Sequence, residues 1–286
     1  MYSECSLAPV EEYTITLPKP KPALTPRTVS GKTPFKMVHI SDTHVVLSYE
    51  PESSYNCTFE ICCRAGTNQT SLGSQYQAGP YGNHYCDSPA TLEESMYAAI
   101  KSIVLDHKLA VFTGDLVKGA EWQLTPKEII NDMNDVHSRM PSGGLDLVYP
   151  AVGNHESDPV NSFPAKGVVT YSSYQHLYDT LAGDWEQWIR SAAAEQVRNN
   201  YGSYSVVYGR DLKIISINTQ FWMRVNFWVF ANGNGTDMER DPSAYFAWLD
   251  ELQAAEDCGQ RVYIIGHICL WVDPMLSGIT HNTSVK

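Results

Sequence analysis

Nowhere does this sequence run to the ~18 consecutive apolar residues that a membrane span needs, so no transmembrane segment is read from it. Basic residues are also few, 20 Lys and Arg against 32 Asp and Glu, for a net charge of −12. That balance removes the basic face on which a nucleic-acid partner depends. It suits a chain that stays soluble in a secreted or luminal setting. The first thirty residues lack an apolar signal region as well. They carry Pro18, Pro20, Pro22 and Pro26, with Pro34 just beyond, a composition that predicts an extended, semi-rigid linker over 1–34. A secretory chain that opens inside a linker is expected to be a piece of a longer protein. No internal repeat divides the remainder, and 35–286 is read as one domain, long enough to bury its own core.

Cysteine is scarce but clustered. Of seven, Cys57, Cys62, Cys63 and Cys86 fall within thirty residues, in a loop-like stretch rich in Asn, Gly and Tyr. The spacing C-x4-C-C-x22-C fits no usual zinc pattern, which favours disulfides, though four cysteines leave three pairings open. Cys5, Cys258 and Cys269 have no assigned partners. Four glycosylation sequons stand at Asn56, Asn68, Asn234 and Asn282; beside the cysteine cluster they point to an oxidising secretory route.

Past the linker, apolar runs of strand length alternate with helical patterns. Strands are predicted at 35–40, 109–113, 146–152, 204–208, 212–218 and 261–265. Helices are predicted from a capping box at Thr91 and Glu94 to about His107, and from Thr125-Pro126 to about Met140. A third covers 172–190, with Tyr174, Leu177, Leu181, Trp185 and Trp188 on one face, and a fourth opens at Asp241-Pro242 and closes at Gly259. This alternation implies an α/β layered domain with parallel pairing. His39, inside the first strand, is read as a satisfied core residue, and Asn218, at the end of 212–218, as a residue that orients the site.

Four of these strands end alike, in polar residues of metal-ligand type: Asp42-x-His44, Gly114-Asp115, Asn154-His155 and Gly266-His267. In α/β sheets, sites collect where strands end and their loops converge. Carboxylate oxygen and imidazole nitrogen suit divalent ions, and one Asp can bridge two of them. On that reading Asp42 and His44 reach one ion, Asp115 bridges, and Asn154 and His267 serve the second. Two ions ~3.5–4 Å apart activate a bridging hydroxide for in-line attack at phosphorus. His155, beside a ligand, is cast as the acid that protonates the leaving alkoxide.

The series D-x-H, GD, GNH[ED], GH resembles the calcineurin-like metallophosphoesterases, and within them the acid sphingomyelinase branch, fungal secreted members especially. "HISDTHVVLSYE", "YNCTFEICCR", "YGNHYCD", "VFTGDLV", "AVGNHESDPVNSFP", "NFW" and "AWLDELQAAEDCGQRVYIIGHI" carry the likeness, from about 35 to 268. The resemblance implies a layered αββα fold with two packed mixed sheets, two zinc ions, and hydrolysis of sphingomyelin to ceramide and phosphocholine at a membrane surface. It implies a monomer, secreted or in a lysosome-like lumen, with disulfides Cys57–Cys62 and Cys63–Cys86, and a saposin-type domain ahead of the linker. The sequence departs from the family in three places. No GHxH, whose two histidines complete the metal shells, follows His267; His281 is the only later histidine. Gly119 stands where the family places a histidine for the substrate phosphate. Val46 takes a place that is often acidic. The fold is therefore expected to be incomplete at its C-terminus, with an apolar sheet edge near 204–218 or 261–266 and weak metal binding and turnover. Action on another phosphoester, or an inactive fragment, are the alternatives.

Overall fold

The computed structural model describes residues 33–57, 61–65, 74–120, 124–164, 174–223, 225–226, 228 and 248–268. Two three-stranded sheets and one short pair organise them. β1 (Met37–Ile40), β4 (Leu109–Phe112) and β5 (Val148–Pro150) form the first sheet in the order β1–β4–β5, parallel throughout. β6 (Tyr204–Tyr208), β7 (Leu212–Ser216) and β8 (Arg261–Ile265) form the second, β6–β7 antiparallel and β7–β8 parallel. β2 (Val45–Val46) and β3 (Ser88–Pro89) make a short parallel ladder.

Two mixed sheets were expected; among the described residues only the second is mixed. The turn at Gly209 makes the one hairpin in either sheet, whereas β1, β4 and β5 follow one another through helices, and such crossovers leave strands parallel. The sheets meet where the Pro150 carbonyl accepts from the Tyr204 hydroxyl and from Ser216 Oγ, each at 2.9 Å.

Four α-helices are described: α1 (Ala90–Ile103), α2 (Pro126–Ser142), α3 (Gln175–Asn199) and α4 (Trp248–Asp257). α2 starts as its sequence dictates, Thr125 and Glu128 closing a reciprocal capping box ahead of Pro126. α1 does not use Thr91 as its cap. Pro89, held extended in β3, is the N-cap, so Thr91 falls inside the first turn and its hydroxyl donates to the Pro80 carbonyl. α3 buries Leu177, Leu181, Trp185 and Trp188, each contributing about 1.5–3 kcal/mol of apolar burial. Its pattern stops being legible near 190 because Arg190 breaks the helix there (φ 72°, ψ 165°) before a further stretch runs to Asn199. Behind α3, the Trp185 indole N–H donates to His137 Nε2 at 3.1 Å, and His137 Nδ1 lies 2.8 Å from Asp184, joining α2 to α3.

His39 is a correction. It faces away from buried Val38 and Ile40, is exposed, and lies 3.0 Å from Thr113 Oγ1. β8 is an edge strand among the described residues, with Tyr263 at 36% and Ile264 at 48% exposure, the apolar edge expected over 261–266. Asn56 is exposed; the sequons at Asn68, Asn234 and Asn282, the helix start at Asp241, Cys5, Cys269, His281 and most of the Pro-rich segment lie outside the described residues.

Between β2 and β3 the chain makes a long excursion fastened by Cys57–Cys62 and Cys63–Cys86, with sequence separations of 5 and 23. In the chain-entropy account the longer loop restrains the unfolded state more. Replacing Cys63 and Cys86 by Ser is expected to cost about 3 kcal/mol, and replacing Cys57 and Cys62 about 2 kcal/mol, as read by denaturant unfolding of the two variants.

Candidate metal centre

The ladder of the first sheet does not stop where β1 and β4 end. Asp42 N–H donates to the Gly114 carbonyl at 2.9 Å, His44 N–H to Asp115 at 3.2 Å, and Val45 N–H to Leu116 at 3.0 Å. The two strand ends therefore travel together, but in a turned conformation. Asp42, His44 and Asp115 all have positive φ (55°, 40° and 60°), a region that non-glycine residues enter only when their surroundings hold them there. Two glycines make the close approach between β4 and β5 feasible. A Cβ on Gly114 would lie 2.3 Å from the Gly153 nitrogen, and one on Gly153 would lie 2.1 Å from the Asp115 nitrogen.

This arrangement converges on the Asp115 carboxylate, 3% exposed. Its Oδ1 accepts the His155 backbone N–H at 3.0 Å. Its Oδ2 faces three imidazoles, with His267 Nε2 at 3.2 Å, His44 Nε2 at 3.7 Å and His155 Nε2 at 3.9 Å. The His44 and His155 rings meet edge to face, centroids 4.7 Å apart. His267 Nε2 also lies 2.9 Å from Asn154 Oδ1. All six residues read from the sequence as site residues thus gather at one place.

Donor atoms within 4.8 Å of one another form two groups sharing Asp115, namely His44–Asp115–His155 and Asp42–Asp115–His267. The sequence reading places Asp42 and His44 on one ion, both reaching it where the strand breaks. The strand does break there, and each of the two donor groups takes one of them. Both residues have positive φ, so they present their side chains from a turn and not from an extended strand.

The ring nitrogens test whether a cation fits. His44 Nδ1 lies 2.8 Å from the Val117 carbonyl and His267 Nδ1 2.9 Å from the Thr113 carbonyl. A carbonyl only accepts, so each Nδ1 carries a proton, and it is each Nε2 that is turned toward Asp115. In a neutral His267 the Nε2 lone pair would meet a carboxylate oxygen and the oxygen assigned to the Asn154 amide, acceptor against acceptor. The contact is favourable only with a proton or a cation among the three atoms. The site's charges answer with the proton: burial alone would lower the His267 pKa, but the Asp115 hydrogen bond and charge outweigh it, with Glu156 and Asp42 adding, and raise it to about 9. On Asp115, burial pulls upward and His267 and His155 pull further downward, leaving its carboxyl below the usual range. A divalent ion suits the same position, with one carboxylate, one amide oxygen and anchored imidazoles as donors.

Glu156 is a residue that sequence reasoning passed over. It is 2% exposed, and its carboxylate accepts Leu116 N–H at 2.8 Å and Asp115 N–H at 3.3 Å, clasping the turn that presents Asp115. Burial, with the charge of Asp115 second, raises its pKa to about 7. Its signal was the acid directly after Asn154-His155, since a buried carboxylate on a turn needs backbone donors. Gly119 donates its N–H to Asp87 Oδ2 at 2.7 Å, and a Cβ there would stand 3.2 Å from that oxygen. Position 119 therefore packs on the disulfide-fastened excursion. Asn218 acts one step further from the centre than expected: it bonds Tyr201 and Gln220, and touches none of the donors named above.

An α/β scaffold whose strand ends bring paired histidines to one shared aspartate is the arrangement of a metal-dependent phosphoesterase. The chain belongs to the calcineurin-like phosphoesterase family, which its sequence matches over residues 35–282. Sphingomyelin phosphodiesterase B of Dictyostelium discoideum is 35% identical over 262 residues, 89% of this chain and 39% of that protein. Sphingomyelin phosphodiesterase of Homo sapiens is 34% identical over 236 residues, 82% of this chain and 36% of that protein. The cyclic GMP-AMP phosphodiesterase of Homo sapiens is 27% identical over 247 residues, 85% of this chain and 49% of that protein. The chain spans under half the length of these curated relatives.

Proposed function

We propose that this chain carries the centre of a secreted or lysosomal two-zinc phosphodiesterase that cleaves sphingomyelin, presented at a membrane surface, into ceramide and phosphocholine. The observation that carries this reading is the Asp115 carboxylate facing His267, His44 and His155 at 3.2, 3.7 and 3.9 Å, with Asn154 beside His267. His44 and Asp115, with Asp42 reaching across from the other donor group, would hold one ion, and Asp115, Asn154 and His267 the other. When bound, the ions supply positive charge for the phosphoryl oxygens and acidify water at the centre. His155, whose Nε2 is the farthest of the three from Asp115, donates a proton. The reaction adds water across the P–O bond to ceramide. Phosphocholine keeps the oxygen of water, and the leaving ceramide oxygen takes the proton from His155.

The two disulfides and the named relatives support a secretory or lysosomal location. A second reading, the same centre acting on a different phosphodiester, is favoured by the likeness to the cyclic GMP-AMP phosphodiesterase. A single experiment tests both readings and the role of His155. Zinc content, sphingomyelin turnover and aryl phosphodiester turnover are measured on the wild-type chain and on His155→Ala. Two zinc ions in both proteins at saturating zinc, with sphingomyelin cleaved slowly and only by the wild type, is the expected result. Cleavage of the aryl ester alone selects the second reading. Loss of one ion in His155→Ala makes His155 a ligand in the group that includes His44. A wild-type chain without metal overturns the proposal.

A further inference from the structure

Five of the six residues at the centre hang from the first sheet. Asp42, His44 and Asp115 are tied by the ladder that continues past β1 and β4, and Asn154 and His155 follow β5 directly. His267 alone arrives from the second sheet, at the end of β8, and β5 and β8 are not paired. Some element must therefore fix the end of β8 against the end of β5, because Asn154 Oδ1 and His267 Nε2 come to 2.9 Å across that gap.

Beyond the bonds of Tyr204 and Ser216 to Pro150, which join the sheets further back, the turn after β7 does this with two adjacent side chains. Thr219 Oγ1 accepts the N–H of Ile268, the residue after His267, at 2.7 Å. Gln220 Nε2 donates to the carbonyl of Val152, two residues before Asn154, at 3.0 Å. Both side chains are buried, Thr219 at 4% and Gln220 at 0% exposure. The turn itself is rigidly held. Asn218 Oδ1 accepts Gln220 N–H at 3.0 Å, Asn218 Nδ2 donates to the Tyr201 carbonyl at 2.9 Å, and Asn226 Nδ2 donates to the Gln220 carbonyl at 3.2 Å. Contact is also close on the other side: a Cβ on Gly266 would lie 2.6 Å from Thr219 Cγ2. The bond from His267 Nδ1 to Thr113 orients the ring, while the Ile217 N–H to Ile265 carbonyl bond at 2.9 Å before it and the Thr219 bond after it place its backbone.

We infer that Thr219 and Gln220 are positioning residues that close one half of the metal centre, setting the distance between Asn154 and His267 while leaving the half around His44 to the first sheet. The inference rests on the two-ion reading given above. Neither side chain touches an ion or substrate; each acts through the backbone next to a ligand. Losing such an outer partner typically weakens metal binding by about 10–100-fold, and here the loss falls on one ion of two.

The test is a zinc titration of the metal-free chain, followed through the separate imidazole resonances of His44 and His267, with melting of the metal-free proteins alongside. In Thr219→Val, which keeps the shape but accepts no hydrogen bond, the transition seen at His267 is expected to need at least ~10-fold more zinc. The transition at His44 is expected to stay in place. Gln220→Met should do the same, and Thr219→Ser should restore the wild-type titration. Equal weakening at both histidines, or failure of Thr219→Ser to restore binding, assigns the pair a merely structural role and overturns the inference. So does a Thr219→Val chain that titrates like the wild type. If the wild-type chain itself shows fewer than two zinc transitions, the two-ion reading falls first and takes this inference with it.

Discussion

Asp115→Asn is expected to empty both halves of the centre at once. The substitution changes almost nothing in volume, and the Asn Oδ1 can keep the bond from the His155 N–H that now measures 3.0 Å. What changes is the second oxygen. Asp115 belongs to both donor groups and its Oδ2 faces His267 and His44, so an amide NH2 in its place aims protons at their Nε2 atoms instead of sharing a cation with them. One negative charge is lost at a site 3% exposed, where water cannot replace it. Both zinc affinities should fall by at least ~100-fold, and turnover by a thousandfold or more, about 4 kcal/mol in the barrier. Zinc content after dialysis and phosphodiester turnover check this. A variant that still holds one ion at wild-type affinity would show that Asp115 serves a single site.

The fold was legible where local chemistry and tertiary packing agree. Thr125, Pro126 and Glu128 specify a helix start that nothing distant contests, and the apolar face of α3 is buried as its spacing dictates. Legibility failed where a neighbour decided. Thr91 and Glu94 spell a capping box, yet pairing of β3 with β2 fixes Pro89 as the cap. His39 reads as core in a run of apolar residues, but side chains alternate along a strand, and His39 takes the exposed face.

The centre was legible in its members and not in the backbone that presents them. Residue type and strand-end position brought Asp42, His44, Asp115, Asn154, His155 and His267 together correctly as neighbours. The turned backbone that presents Asp42 and His44, both at positive φ, is what no spacing rule reveals. Supporting residues are harder still to read. Glu156, Thr219 and Gln220 act through backbone N–H and C=O groups of other segments, 40 residues away for Glu156 and Leu116 and 68 for Gln220 and Val152. Such bonds carry no local pattern.

Gly153→Ala should then disable the centre without removing any donor. A methyl group there would lie 2.1 Å from the Asp115 nitrogen, 2.2 Å from Asp115 Oδ1 and 2.4 Å from Glu156 Oε2. None of the three is free to swing away. The nitrogen is bonded to Glu156, Oδ1 to the His155 N–H, and Oε2 to the nitrogen. Gly114 presses on the same peptide from the other strand. Relief requires the ends of β4 and β5 to part, which separates Asp115 from Asn154 and His155 and so splits both donor groups. Overpacking of this kind costs about 1–3 kcal/mol, small against the loss of metal, so the variant should fold, melt somewhat earlier and bind no zinc. Gly183→Ala is the matching control: in α3, with nothing within 4 Å of the added Cβ, it should stabilise by about 0.5–1 kcal/mol and titrate as the wild type. A Gly153→Ala chain that binds two zinc ions would mean that the β4 and β5 ends are compliant, and that the positive φ of Asp115 is not held by the Gly114–Gly153 contact.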